Sequence, residues 1–308
     1  MPALLQPVPR RALLAAAGAS VVAALAACSA RETAGTAIGG PEWEVTPSPV
    51  PPTPSPTPHP AHELDAAGRK AVEARFAGRV PRDWGLAVPG VVTHTTSGAV
   101  ALTFDACGGP GGGSAFDAKL IGTLRTLRIP ATLFLNSRWI AANPSLAAEL
   151  AADRLFELGN HGTAHIPLSV SGRSAYGIRG TASLSAALDE LLGNAARIAE
   201  VADAPVPWFR PGTAFYDDVA AQATTAVGLV PVNFSVNADA GATLPAAKVS
   251  AALAGVKAGD IVIGHMNRPG SGTSAGFAAA LPRLVERGIR FTTLSQSGLV
   301  LPGAPASA

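Results

Sequence analysis

From Ala99 to Leu294, short apolar runs alternate with longer Ala/Leu-rich stretches, and nothing else in the chain restricts its fold so strongly. Seven runs have the length of strands: Val100-Leu102-Phe104, 131–135, 155–159, Trp208-Phe209, 230–236, 260–264 and 289–294. Most are apolar on consecutive residues, which suits strands covered on both faces. Between them, 116–127, 144–153, 183–202, 217–227, 245–256 and 274–287 carry helical spacing, several with a capping residue or a first-turn proline. Repeated strand and helix predict an α/β domain around a parallel sheet. Such a chain either closes as a barrel or opens as a doubly wound sheet, and the pattern alone does not choose. With 48% of 308 residues apolar and 14% charged, one substantial core is expected.

The unusual polar residues fall at the ends of the apolar runs: Asp105, His161, Arg210, Asp239 and His265. In both architectures, functional groups gather at the carboxyl ends of parallel strands. The glycine-rich stretch Gly108 to Gly113 has no P-loop lysine, and no GxGxxG follows the first strand, which argues against a nucleotide site. Of six histidines, His59, His62 and His94 precede the first strand, and the other three stand at strand ends. His161 and His165 are four residues apart and can share a divalent cation if their loop turns helically. Arg210 can pair with Asp105. The net charge of +2 is spread without basic blocks, so nucleic acid is not expected as a partner.

The beginning of the chain reads differently. Arg10 and Arg11 precede an apolar run, Ala12 to Ala27, 16 residues long. A membrane span needs roughly 20, so the layout is that of an export signal, and the arginine pair is compatible with twin-arginine export. Leu25-Ala26-Ala27-Cys28 is similar to a bacterial lipobox. It implies a signal peptide over 1–27, a lipid on Cys28, and an exported protein anchored at the extracytoplasmic face of the cell membrane. Residues 28–60, dense in Pro, Ser and Thr, read as a disordered linker, 61–98 as a lead-in segment and 298–308 as a flexible tail. Cys28 and Cys107 belong to different parts of this plan, so no disulfide is expected.

Thr103-Phe104-Asp105, His161-x-x-x-His165, Arg210-Pro211-Gly212 and the apolar strand ending in His265 occur in the order and approximate spacing found in NodB-type polysaccharide deacetylases. The chain resembles that family, carbohydrate esterase family 4, over about 99–297. The resemblance implies a distorted (β/α) barrel of about seven strands. It also implies removal of N-acetyl groups from an envelope polysaccharide, peptidoglycan or another N-acetylglucosamine polymer, by a monomeric enzyme. By the same resemblance Asp105 is the general base and His161 and His165 hold zinc or cobalt. His265 protonates the departing amine, Arg210 orients Asp105, and Asp239 tunes His265. Phe215, Tyr216 and Asn267 meet the substrate, and a backbone N–H near Ala214 or Phe215 faces the oxyanion.

Two departures matter. The family's first motif continues with a second, metal-binding aspartate, and here that position is Ala106. Asp105, Cys107, Asp117 or Asp239 can supply the missing ligand, with a carboxylate preferred because a lone cysteine more often acts as a small buried hydrophobe. The fourth motif has Asn237 where an aspartate is usual and lacks its tryptophan. These changes keep open a glycan-binding lipoprotein without catalysis, and a hydrolase of a different amide or ester. Trp139 and Trp208 read as packing residues.

Overall fold

The computed structural model describes residues 64–202 and 206–299. The export signal, Cys28, the Pro-rich linker and the tail from 300 onward lie outside the described residues. Eight strands form the main sheet: β1 Val100–Ala106, β2 Ala131–Leu135, β3 Phe156–Asn160, β4 Trp208–Phe209, β5 Val230–Pro231, β6 Val236–Asn237, β7 Ile261–His265 and β8 Phe291–Thr292. Seven of them hydrogen-bond in the order β6-β7-β1-β2-β3-β4-β5, all parallel, while β8 pairs with the first two residues of β1. That order is the chain order bent round a circle and broken once, between β5 and β6. The sheet is therefore a curled, incompletely closed (β/α) barrel and not a doubly wound sheet.

The run 230–236, expected as a single strand, is divided at this break. Val92 takes the edge of β5, donating to the Pro231 carbonyl (2.9 Å) and accepting from the Asn233 N–H (2.7 Å). Thr95 donates to the Gly259 carbonyl just before β7 (2.8 Å). Ser235 then donates to the Ile261 carbonyl and brings the chain beside β7 as β6. The lead-in segment thus occupies a seam that a closed barrel would fill with strand pairing.

Helices on the sheet are α1 Ala66–Phe76, α2 Ala118–Leu127, α3 Ser137–Ala142, α4 Pro144–Ala152, α5 Leu184–Ala199, α6 Asp218–Ala226, α7 Ala246–Ala254 and α8 Thr273–Glu286. Asp117, Asn136, Ser183 and Asp217 cap α2, α3, α5 and α6 by accepting first-turn N–H groups, and α4 opens with proline at its first position. All of β1 is buried, and its side chains alternate as a strand requires. Val100, Leu102, Phe104 and Ala106 enter the large core with Leu120 and Leu124 of α2 and Phe277 and Leu281 of α8. Ala101 packs instead with Phe134, Trp208 and Ile261 inside the curl, the side shared by Thr103 and Asp105.

The curl is tight at Gly159, where a Cβ would come within 2.6 Å of the Phe134 ring. Gly159→Ala is therefore expected to destabilise the domain by about 1–3 kcal/mol, read as a lower midpoint in urea or heat. Gly122→Ala in α2, with nothing within 4 Å of its Cβ position, should instead stabilise by up to about 1 kcal/mol.

Candidate active site

The site grows from the carboxyl ends of the strands. β1 delivers Asp105, which is 3% exposed, and Arg210 follows β4 and is fully buried. Arg210 Nη1 donates to Asp105 Oδ1 (2.8 Å) and to Thr103 Oγ1 (2.9 Å), and Nη2 donates to the Asn233 carbonyl (3.1 Å). Its guanidinium lies 4.2 Å from the centre of the Phe134 ring. Burial alone would raise the Asp105 carboxyl, but the charges of His161, Arg210 and His265 outweigh it and hold the group below the usual carboxylate range.

His161 follows β3 and is 1% exposed. Its Nδ1 donates to the Arg210 carbonyl (2.8 Å), which turns Nε2 toward the cluster, 3.5 Å from Asp105 Oδ2 and 3.8 Å from Cys107 Sγ. The loop to His165 does not turn helically. His165 is left-handed at φ 60°, a backbone conformation costing about 1–3 kcal/mol for a side chain of this size. Glu190 of α5 offsets that cost: its buried carboxylate accepts the N–H groups of Ala164 (2.8 Å) and His165 (3.0 Å). Gly212 lies against the His165 ring, where a Cβ would come within 2.4 Å of Cγ, so no larger residue fits. The two imidazoles stand 5.0 Å apart at 80°.

At the place of the missing ligand the structure brings Cys107 beside the two histidines. One donor atom each from Cys107, His161 and His165 lies within 4.8 Å of the others. None of the preferred carboxylates belongs to this group. Asp105 is held by Arg210, Asp117 Oδ1 accepts from the Leu120 N–H (3.0 Å), and both oxygens of Asp239 are engaged elsewhere. His165 Nε2 is buried with no protein partner among the described residues. Two imidazole nitrogens, one of them orphaned, and a thiol suit a divalent cation such as zinc. Burial would raise the Cys107 thiol, yet the neighbouring imidazoles of His161, His165 and His265 hold it well below the ordinary thiol range.

His265 ends β7. Its Nδ1 donates to Asp239 Oδ1 (2.8 Å) and its backbone N–H to Asp239 Oδ2 (2.8 Å), which also accepts from the Thr273 hydroxyl (2.8 Å). Burial would lower the imidazolium, but Asp239 and the Cys107 thiol together hold it well above the usual histidine range. Asp239, just after β6, is thus a hydrogen-bond partner of His265.

A cavity of about 540 Å³ opens over these groups, lined by Asp105, Cys107, His165, His265, Tyr176 and Asn267 among others. Of the residues expected to meet substrate, only Asn267 lines it, with its amide donating to the Gly113 carbonyl (2.8 Å). Phe215 lies behind the wall between Trp84 and Tyr176 (ring centres 5.5 and 5.4 Å). Tyr216 is fully buried and its hydroxyl donates to the Phe209 carbonyl (2.9 Å), so it is a packing residue. The Ala214 N–H is taken by the Pro211 carbonyl (2.8 Å), which leaves Phe215, with a long 3.4 Å contact to Thr213 Oγ1, as the freer of the two backbone donors. Tyr176, 77% exposed beside Gly177 in the hairpin 174–179, was not singled out from sequence. A solitary exposed tyrosine in a two-strand hairpin carries no periodic signal.

Residues 93–232 match the family model described as polysaccharide deacetylase. No curated protein sequence matches the chain. A family 4 carbohydrate esterase pseudoenzyme from Bacillus anthracis superposes with a TM-score of 0.57 at 19% identity, over 68% of this chain and 69% of its own. A mutant of that pseudoenzyme with restored enzymatic activity superposes equally well, at 20% identity over 68% and 72%. A peptidoglycan N-acetylglucosamine deacetylase gives 0.56 at 19%, over 68% and 92%. An acetyl xylan esterase of the same family from Clostridium thermocellum, in complex with a cobalt ion, gives 0.51 at 24%, over 64% and 88%. The barrel is accordingly of the NodB type.

Arg210→Met would strand the Asp105 carboxylate in the interior, and a loss of about 3–5 kcal/mol in denaturant unfolding is expected. Adding Asp105→Asn to that variant should recover a large part of the loss, because the unpaired charge goes with it.

Proposed function

We propose, from the match of residues 93–232 to the polysaccharide deacetylase family model, that the chain is a metal-dependent hydrolase of N-acetyl groups on an envelope polysaccharide, peptidoglycan or another N-acetylglucosamine polymer. One observation carries this reading: a single cavity is lined by a carboxylate paired with a buried arginine and an imidazole paired with a buried carboxylate, the arrangement that favours an ionised base and a protonated acid. A divalent cation, zinc or cobalt, held through His161 and His165 would lower the pKa of a water molecule and polarise the acetyl carbonyl. The protein's own groups do the rest. Arg210 occupies Asp105 Oδ1, so Oδ2 is left to accept the proton of the attacking water. An amine anion is a poor leaving group, and His265 gives its proton to the nitrogen as the carbon–nitrogen bond breaks, releasing acetate and a free sugar amine. Asp239 holds the His265 ring and stabilises its charge.

The proposal includes export through the leader and a lipid on Cys28, which would hold the domain at the outer face of the cell membrane, where such a polymer lies. The rival reading, a glycan-binding protein without catalysis, draws on Ala106 and on the likeness to a pseudoenzyme. Acetate release from N-acetylglucosamine oligomers, with and without added zinc or cobalt, separates the two. Metal-dependent release that falls about 10²–10⁴-fold in Asp105→Asn is the expected result, and none with any cation added would leave the binding protein.

The acid has its own test. His265 faces Asp239 and Cys107, and removing the Asp239 charge with Asp239→Asn lowers the pH at which the ring loses its proton. The alkaline limb of kcat/KM should therefore move to lower pH while the acid limb stays. An unmoved alkaline limb would mean that His265 is not the proton donor.

A further inference from the structure

We propose that Cys107 is the third protein ligand of the cation, as a thiolate, so that the centre is Cys-His-His and favours a thiophilic divalent ion such as zinc. This deepens the deacetylase reading and rests on it only in requiring a cation at His161 and His165.

Strand geometry makes the case. Side chains alternate along β1, so Asp105 faces the inside of the curl while Ala106 is fully buried in the core with Phe104, Leu120 and Phe277, and Cys107, the residue after the strand, lines the same cavity as Asp105. A carboxylate at position 106 would meet that apolar core on this backbone path, whereas the next side chain reaches the histidines. Cys107 Sγ lies 3.8 Å from His161 Nε2, and one donor from each of the three residues falls within 4.8 Å of the others. His161 is committed through Nδ1 to the Arg210 carbonyl, and His165 Nε2 is buried without a protein partner, so both imidazoles have a nitrogen to give. Catalytic zinc sites commonly use three protein ligands, and here the third is supplied while Asp105 remains with Arg210 as the base. On binding, the S–H bond breaks, a sulfur–metal bond forms and the proton leaves to solvent, with no change of oxidation state. A soft sulfur with two imidazoles selects zinc over magnesium or manganese.

Titration of the full chain with cobalt(II) alone tests the assignment without relying on activity. A sulfur-to-cobalt charge-transfer band in the near ultraviolet that saturates at a single equivalent, and vanishes in folded Cys107→Ser, is the expected result. Zinc affinity, measured by chelator competition, should fall in that variant by at least the roughly 10–100-fold that loss of even an outer-shell partner brings. Cobalt bound without the band, or zinc affinity unchanged in folded Cys107→Ser, overturns the proposal. So does acetate release that survives a chelator and stops when Cys107 is alkylated, since the thiol would then be a nucleophile beside His265. Sulfur-bound cobalt without acetate release removes the deacetylase reading alone, and acetate release from a cobalt centre with no sulfur band removes the thiolate alone.

Discussion

The mouth of the barrel depends on the buried pair of Asp105 and Arg210. Removing two such charges from water costs several kcal/mol per ion, which only close pairing and further hydrogen bonds offset. Arg210 meets that condition with Asp105, the Thr103 hydroxyl, the Asn233 carbonyl and the face of Phe134. The same residue's backbone carbonyl orients His161. One side chain therefore ties β1 to β4 and the crossing at Asn233, and its main chain sets the tautomer of a histidine. The base and one metal-directed imidazole are positioned by a single buried residue, so their relative geometry cannot relax independently.

The other imidazole is placed by a different device. His165 reaches the cluster because its backbone adopts a left-handed conformation, and Glu190 and Gly212 hold it there from two sides. Glu190 lies on α5, away from the strand ends, while Gly212 follows the arginine after β4 and lines the cavity. Strain of this kind persists only where the surroundings over-determine it. The geometry of the cluster is in that sense set by the fold around it.

What was legible in the sequence follows from these two devices. Asp105, Arg210 and His265 were readable because an apolar strand that ends in a charged or ionisable residue has few other interpretations, and the strand period places that residue at the rim. The alternation of strand and helix was readable for the same reason. The division of 230–236 was not, since it comes from Val92, a residue far away in sequence that takes the edge of β5. Glu190 was hidden because it lies among Leu188 and Leu191 on a helix whose pattern gives no reason to single out a carboxylate. Tyr216 misled because motif position places it beside the arginine loop, while its pairing with residues 84–85 turns it inward. Cys107 gave little signal because a lone thiol is usually inert packing, and only the folded chain sets it beside two imidazoles.

The loss of an aspartate at position 106 has two physical meanings, decay or relocation, and the charged groups around it distinguish them. A scaffold that only binds glycan has no use for ionised groups inside its wall, because apolar replacements of a buried ion pair are often neutral or stabilising by roughly 1–4 kcal/mol. Here two buried pairs, Asp105 with Arg210 and Asp239 with His265, stand at one cavity, and the pairing lowers both carboxyls and raises the imidazole from their ordinary ranges. Between them stands a cluster of two imidazoles and a thiol with an unused buried nitrogen. Removing the acetyl group from an amide needs a base, an acid and an electrophile at once, and all three have a place in this wall. The altered motif therefore fits a ligand moved by one residue along a strand better than it fits a site falling out of use.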